Sequence, residues 1–316
     1  MKKKRCPTCH SKNVILFGKT SNNKQRFKCL RCFKVYIWKD QKSKIFHEQH
    51  WFKLWVTESY SIRQLSNISG HSESKLKQIK NYWLNQQPIK INDCKQYKYL
   101  IYDGTYFHKT GCLLKLMHVK DQKIIDNIYT QKEGYLNAHP WFLRLKQQGL
   151  NPRFITMDGE ISTIRAIKDV WPKARIQRCL YHIQREALRW LRTYPKTQAG
   201  KDLKFLIMGI CSIKSKKEKE QFLKQYKSWL EKYKKFIKRL PNDSVASKDL
   251  KRTIVLLNNA IPDMFHYLDN KNVKCTTNAL ESFHSRLKSD YQRHRGLSEK
   301  HKISYLKWYC YWANAN

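Results

Sequence analysis

The chain has 316 residues, with 64 Lys and Arg against 24 Asp and Glu, and a formal net charge of +40 at pH 7. A positive field of that size, spread over the whole length, is typical of a protein that binds a polyanion, and we expect nucleic acid as the partner. The sequence contains no apolar run of 18 residues, which argues against a membrane-spanning segment and a membrane partner. The length exceeds the roughly 100 to 200 residues of one domain, so we expect two or three structural units.

Two Cys-x2-Cys motifs lie near the start of the chain, with 19 residues between them. The four cysteines are Cys6, Cys9, Cys29 and Cys32. This spacing is typical of a tetrahedral zinc site, and the segments 14–17 and 25–28 between the motifs are expected to form a hairpin. The alternatives are two unrelated pairs or a redox dithiol. We predict a zinc ribbon over residues 1–40, in which structural Zn²⁺ stabilises a segment too short for its own core.

Residues 43–90 are predicted to form a helix-turn-helix DNA-binding domain. Apolar residues recur at helical spacing on both sides of Gly70, and Ser72 is a candidate N-cap for the second helix. The apolar positions are Ile62, Leu65, Ile68, Leu76, Ile79 and Trp83. The candidate DNA-binding residues of the second helix are Lys75, Lys77 and Lys80. A helix of this kind can enter a major groove, and the alternative is an ordinary helical hairpin with a solvated basic face.

From about residue 97 the pattern changes to strands, and then to alternating helices and strands. The predicted strands are 99–102, 112–120, 123–131, 154–157 and 174–177. This order indicates a mixed α/β sheet. A helical and very basic segment follows at about 195–270. The aromatic residues at helical spacing within 222–233 are interpreted as the buried stripe of one helix.

Two of these strands run into an acid followed by a glycine, in YLIYDGT and RFITMDGE. The acids, Asp103 and Asp158, would be close if the two strands were neighbours in the sheet. A third acid, Glu281, is predicted to lie on a helix capped by Thr276 or Thr277. Carboxylates are natural ligands of Mg²⁺ and Mn²⁺, and nuclease-type phosphoryl transfer uses two such ions. The alternatives are turn chemistry for the two Asp-Gly pairs and an exposed helix charge for Glu281.

Four motifs extend this interpretation. They are DGT at Asp103, MDGE at Asp158, RCLYHIQR at 178–185 and TTNALESFHSRLK at 276–288. On these motifs the chain resembles, over nearly its full length, bacterial insertion-sequence transposases of the Mutator-like superfamily. The resemblance implies a ribonuclease-H-like catalytic domain with an Asp-Asp-Glu triad, here Asp103, Asp158 and Glu281. The catalytic core would span 95–194 and 271–316, with the helical insertion 195–270 between its two parts.

The resemblance also implies an activity. The protein would bind the ends of its insertion sequence and catalyse metal-dependent strand cleavage and strand transfer into target DNA. Two Mg²⁺ or Mn²⁺ ions per active site would be held by the triad, and double-stranded DNA would be bound by a homodimer. A bacterial, cytoplasmic, nucleoid-associated protein is expected. The alternatives are a DNA-binding regulator with a relic catalytic domain, and a ribonuclease-H-like structure-specific nuclease.

Several further residues have candidate roles. The Cys-x2-His motif of the superfamily falls on Cys179 and His182, and we favour packing at a helix start near the active site over a second zinc site, which would lack two ligands. His284 either orients a phosphate or packs in the core. The candidate phosphate-binding residues after the glutamate are Arg286, Lys288, Arg293 and Arg295.

Overall fold

The computed structural model describes residues 5–37, 41–89, 91, 93–107 and 111–314. The chain divides into two compact units, Met1–Trp83 and Leu84–Asn316. The ends of the predicted domain spans at residues 1, 40, 90 and 316 lie outside the described residues. No described helix combines the length and the apolar character that crossing a membrane requires.

The first unit begins with a three-stranded antiparallel sheet in the order β1-β2-β3. Its strands are β1 (Val14–Lys19), β2 (Gln25–Cys29) and β3 (Val35–Ile37). The predicted hairpin is therefore confirmed, since β1 pairs with β2 from Val14 to Lys19. The sheet holds little apolar core of its own, because Leu16 and Phe33 are both more than two thirds exposed.

Three helices complete the first unit: α1 (Gln41–Thr57), α2 (Ile62–Ser69) and α3 (Glu73–Leu84). Helix α2 begins with a capping box and has Gly70 as its C-cap residue. The left-handed φ of 67° at Gly70 turns the chain, and α3 begins three residues later. Ser72 accepts a hydrogen bond from the backbone N–H of Lys75, as a helix N-cap does.

The core of this three-helix unit is aromatic. Phe52 of α1 stacks on Trp83 of α3 with ring centroids 6.2 Å apart, and Leu65 of α2 is also buried. Ile68 was expected on the apolar face of α2, but the structure leaves it 57% exposed. With only eight residues, α2 buries one apolar side chain, Leu65, and its last turn faces solvent.

The second unit is built on a five-stranded sheet in the order β6-β5-β4-β7-β8. Its strands are β4 (Tyr99–Tyr106), β5 (Cys112–His118), β6 (Ile124–Thr130), β7 (Phe154–Met157) and β8 (Arg175–Arg178). Strands β4, β5 and β6 are antiparallel, whereas β7 and β8 run parallel to β4. The predicted mixed sheet is thus confirmed, with β4 at its centre.

The described residues of the second unit also form eight α-helices. They are α4 (Tyr135–Gln147), α5 (Ile161–Val170), α6 (Leu180–Leu191), α7 (Gln198–Met208), α8 (Lys216–Arg239), α9 (Val245–Ala260), α10 (Asn278–Gln292) and α11 (Glu299–Trp312). Helices α4 and α5 bury their apolar faces in the same core as the sheet. Helices α6 to α9 share a second core, to which α8 contributes a buried stripe of four aromatic side chains, as predicted. The stripe consists of Phe222, Tyr226, Trp229 and Tyr233.

Candidate active site

The two aspartates lie on neighbouring strands. Strand β4 pairs with β7 in parallel, and the last paired residues are Ile101 and Thr156. Carrying that register two residues further places Asp103 beside Asp158, which follows the last residue of β7. Asp103 was expected at the end of its strand, and this is wrong: β4 continues to Tyr106 because its antiparallel pairing with β5 extends beyond the end of β7.

The electrostatics agree with that placement. Burial raises the pKa of Asp158, and the negative charge of Asp103 raises it further, although a hydrogen bond from the backbone N–H of Glu160 at 3.1 Å opposes the shift. Asp103 is itself only 8% exposed and accepts the backbone N–H of Gly104 at 3.0 Å. Two largely desolvated carboxylates on neighbouring strands repel each other, and a bound cation would relieve that repulsion.

Helix α10 brings the glutamate to the same strand. Its apolar edge, Leu280, Phe283 and Leu287, is buried as expected. His284 on the next edge is also buried, and its Nδ1 lies 3.2 Å from Oδ2 of Asp103. Burial and the nearby charge of Lys115 lower the pKa of His284 to about 4. His284 is therefore a neutral imidazole that fixes the helix of Glu281 on β4, and its Nδ1 faces a carboxylate.

Lys115 was not singled out in the sequence. It lies on β5, directly opposite Asp103 in the antiparallel ladder. The side chain is fully buried, and its Nζ has no hydrogen-bond partner among the described residues and lies 4.8 Å from the ring centroid of Phe283. Burial lowers the pKa of Lys115 to about 8, against the charges of Cys310 and Asp103. The positive charge of Lys115 therefore lies in the protein interior, on the strand next to Asp103.

Glu133 is a second residue that sequence reasoning missed. It follows β6, and its Oε1 accepts a hydrogen bond from the Tyr102 hydroxyl at 2.7 Å. Its Oε2 lies 2.9 Å from the position that a Cβ on Gly104 would occupy, so glycine next to Asp103 leaves room for this carboxylate. Burial raises the pKa of Glu133 to about 7, and the charges of Asp158 and Asp103 add to the shift. One signal was present, because Glu133 is the only acid between Asp126 and Asp158.

Cys179 and His182 lie beside the glutamate. Cys179 is the N-cap residue of α6, and His182 follows one turn later with its Nε2 3.5 Å from Oε1 of Glu281. A hydrogen bond to Cys179 raises the pKa of His182, burial opposes the shift, and Glu281 supports it. The motif is therefore at a helix start and in contact with the third acid.

The donor chemistry of this site fits a hard divalent cation, since four different parts of the fold supply carboxylates to it, namely Asp103, Asp158, Glu281 and Glu133. The three predicted acids do not converge on one point, however. Among the described residues, only the four N-terminal cysteines form a group of three or more possible ligands that all lie within 4.8 Å of one another. Acids that share two ions spread wider than ligands of one ion, because the ions are themselves about 3.5 to 4 Å apart.

The four-cysteine group has the arrangement of a tetrahedral metal site. Sulfur atoms of Cys6 and Cys32, and of Cys9 and Cys29, are 3.5 Å apart, close to the roughly 3.8 Å spacing of thiolates on one Zn²⁺. Backbone N–H groups point at sulfur in both motifs, from Thr8 to Cys6 at 3.5 Å and from Arg31 to Cys29 at 3.4 Å. Such amides stabilise thiolates, and the cluster could hold zinc.

The predicted DNA-binding lysines differ in their surroundings. Lys75 forms an ion pair with Glu48 at 2.7 Å, and the side chain of Lys80 lies over the Trp55 ring, where burial lowers its pKa. The side chain of Lys77 is 59% exposed. In the second unit Arg286, Arg293 and Arg295 are exposed, whereas Lys288 covers the ring of Phe107.

Comparison with known proteins supports one family. The family model described as "Transposase, Mutator family" matches residues 48–301. No curated protein matches the chain significantly. Among solved structures, the cryo-EM structure of the simian T-cell lymphotropic virus intasome in complex with PP2A regulatory subunit B56 gamma is 13% identical, covers 79% of this chain and 76% of that chain, and has a TM-score of 0.22.

Proposed function

Because the chain belongs to the Mutator family of transposases, we propose that it binds the ends of a DNA element, cuts DNA in a divalent-metal-dependent reaction and transfers the free 3′ end into target DNA. The observation that carries the proposal is the side-by-side placement of Asp103 and Asp158 on parallel strands, with the helix of Glu281 fixed to the same strand through His284. Asp103 and Asp158 are 55 positions apart along the sequence, and Asp158 and Glu281 are 123 positions apart. Only the tertiary fold can therefore bring the elements that carry them together.

In this proposal Asp103, Asp158 and Glu281 hold Mg²⁺ or Mn²⁺. Bound there, the ions would neutralise phosphate charge and lower the pKa of the attacking water or hydroxyl. The protein's own contribution is positioning. His284 orients Asp103, the backbone of Glu160 orients Asp158, and Glu133 adds a fourth carboxylate held by Tyr102. Together these contacts fix acids that would otherwise repel one another.

The ribonuclease-H-like description of the sheet, the zinc ribbon and the helix-turn-helix are parts of the same proposal. The four-cysteine cluster and the α2–Gly70–α3 geometry support the two N-terminal modules. We assign the recognition of the element ends to these two modules. We assign the binding of the phosphate backbone near the cut to the exposed arginines after Glu281. Two ends must be brought together, so the proposal includes two copies of the chain on DNA.

The test is cleavage of a plasmid that carries the element ends, with Mg²⁺ or Mn²⁺ as the only variable. We expect nicking that needs the ion and that Asp158→Asn abolishes while DNA binding persists. Asp243→Asn, which changes an exposed acid of the insertion, is the matched control and should cut normally.

Other outcomes would identify another function. Cleavage without a divalent ion contradicts the proposed mechanism. Cleavage of branched DNA with no preference for the ends would point to a structure-specific nuclease. If Asp103→Asn, Asp158→Asn and Glu281→Gln all leave the biological activity unchanged, the protein is a DNA-binding regulator.

A further inference from the structure

Thr277 is the residue at which the Cys179–His182 motif and the glutamate helix meet. It occupies the N-cap position of α10, but its hydroxyl caps no backbone N–H there. The side chain is fully buried, and the hydroxyl lies 3.4 Å from Sγ of Cys179, 3.4 Å from Nδ1 of His182 and 3.2 Å from Oε1 of Glu281. A residue that the sequence offers as an ordinary helix cap is therefore engaged with three chemically active side chains.

The number of protons and lone pairs on a hydroxyl limits which of these contacts can be hydrogen bonds, and in which direction. It has one proton to donate and two lone pairs that accept. The Glu281 carboxylate only accepts, so the proton that Thr277 donates can go to that carboxylate, while an imidazole N–H on His182 donates to the Thr277 oxygen. The other ring nitrogen of His182 lies 3.5 Å from the same Glu281 oxygen. Oε1 of Glu281 thus accepts from a hydroxyl that also contacts Cys179 and His182, and the orientation of the carboxylate follows from that of the hydroxyl.

We propose that Thr277 is a positioning residue for Glu281, and that its hydroxyl transmits the fixed geometry of Cys179 and His182 to the glutamate carboxylate. The inference rests on the proposed role of Glu281 as a ligand for divalent ions. It gives the Cys-x2-His motif a role in the reaction without a second metal site. Cys179 and His182 are separated by three positions and lie on one face at the start of α6, where both can reach the incoming helix.

The surrounding backbone is held without the hydroxyl. Thr156 Oγ1 donates to the carbonyl of Lys274 at 2.8 Å, and the N–H of Leu180 donates to the carbonyl of Cys275 at 2.9 Å. The backbone N–H of Thr277 itself donates to Sγ of Cys179 at 3.4 Å. Replacing the hydroxyl by a methyl group keeps all three bonds and nearly the same volume, so Thr277→Val separates the positioning role from folding.

The experiment compares Thr277→Val with Thr277→Ser, which keeps the hydroxyl. Three quantities are measured on the full chain: Mn²⁺ binding by electron paramagnetic resonance, the Mn²⁺ concentration for half-maximal nicking, and the position of Glu281 in crystals of each variant. We expect Thr277→Val to weaken Mn²⁺ binding and raise the half-maximal concentration about tenfold, with DNA binding close to wild type and a folded protein of somewhat lower thermal stability. Thr277→Ser should remain within about threefold of wild type by the same measures.

The outcomes separate this inference from the proposed function. If Thr277→Val equals wild type in Mn²⁺ binding and in the position of Glu281, or if Thr277→Ser is as impaired as Thr277→Val, the positioning role is wrong. If wild-type protein neither binds Mn²⁺ nor cuts DNA, the proposed function fails. The crystals still decide the positioning role in that case, because it requires the Glu281 carboxylate to move by about 1 Å in Thr277→Val and not in Thr277→Ser.

Discussion

Nδ1 of His284 lies 3.2 Å from Oδ2 of Asp103, and this contact joins the glutamate helix to the central strand of the sheet. The two residues are 181 positions apart. Asp103 on β4 and His284 on α10 are both buried, so neither side chain can reach solvent to find another partner. The contact therefore orients Asp103 and adds to the buried apolar edge that holds the helix on the sheet.

Removing this imidazole should cost stability as well as activity. His284→Ala removes the donor to Oδ2 of the buried Asp103 and opens a cavity, so we expect the free energy of unfolding to fall by about 2 to 3 kcal/mol. His284→Asn can keep an N–H near Asp103 and should lose less. Urea unfolding measures both, with Ser285→Ala at the exposed neighbouring position as the control. Equal stability of His284→Ala and wild type would contradict a structural role for the contact.

The buried Lys115 should make stability depend on alkaline pH. Its pKa is lowered to about 8 in the folded protein, whereas an unfolded lysine has a pKa of about 10.4. Between these values the unfolded chain binds more protons than the folded one, so stability rises with pH from about 8 to about 10. The full rise is about 3 kcal/mol.

Lys115→Met should abolish that rise and be more stable than wild type at pH 7, because the buried charge is gone. Urea unfolding at several pH values gives the comparison, with Lys120→Met as an exposed control. Parallel curves for wild type and Lys115→Met would show that Lys115 is not the group responsible.

The cysteine cluster should bind one zinc ion per chain. Cys29→Ser removes a buried ligand and should release the metal and unfold residues 5–37, which have little apolar core. Cys211→Ser, at an exposed cysteine outside the cluster, should keep the zinc. Atomic absorption of the purified proteins measures the content. An intact disulfide between the two motifs and no zinc would favour the redox alternative.

Lys77 and Lys80 should affect DNA binding differently. Lys77 is exposed on α3, so Lys77→Ala should reduce the slope of log affinity against log salt by about one. The side chain of Lys80 packs over Trp55, so Lys80→Ala should lower stability and leave the slope nearly unchanged. Fluorescence anisotropy from about 50 to 200 mM salt measures both slopes. Equal slopes for the two variants would mean that α3 does not face DNA as proposed.

Local patterns predicted much of this fold. The Cys-x2-Cys spacing, the strand preceding Asp158 and the aromatic stripe of α8 follow from periodicity and turn chemistry within about 20 residues. Their structures agree with those patterns because each depends on local turn chemistry and on one apolar face that is buried. The exposed end of α2 at Ile68 shows the limit, since a pattern of apolar residues does not say whether a partner surface is there.

The candidate site lay partly beyond such patterns. Lys115 faces Asp103 only because of the antiparallel register of β4 and β5. Glu133 reaches the acids because the segment after β6 brings its carboxylate to the hydroxyl of Tyr102 on β4, 31 positions earlier. Thr277 is predicted from the sequence as a helix cap, but two of its three side-chain partners lie at the start of α6, about a hundred residues earlier.

The sequence by itself predicted most of the strands and helices, the family and three candidate acids, because these depend on residue types and short spacings. The tertiary structure decided which groups surround the acids: a neutral His284, a buried Lys115, a fourth carboxylate at Glu133 and the hydroxyl of Thr277. These neighbours come from strand register and helix docking. Both are set by the burial of many side chains at once, so no short stretch of the sequence contains them.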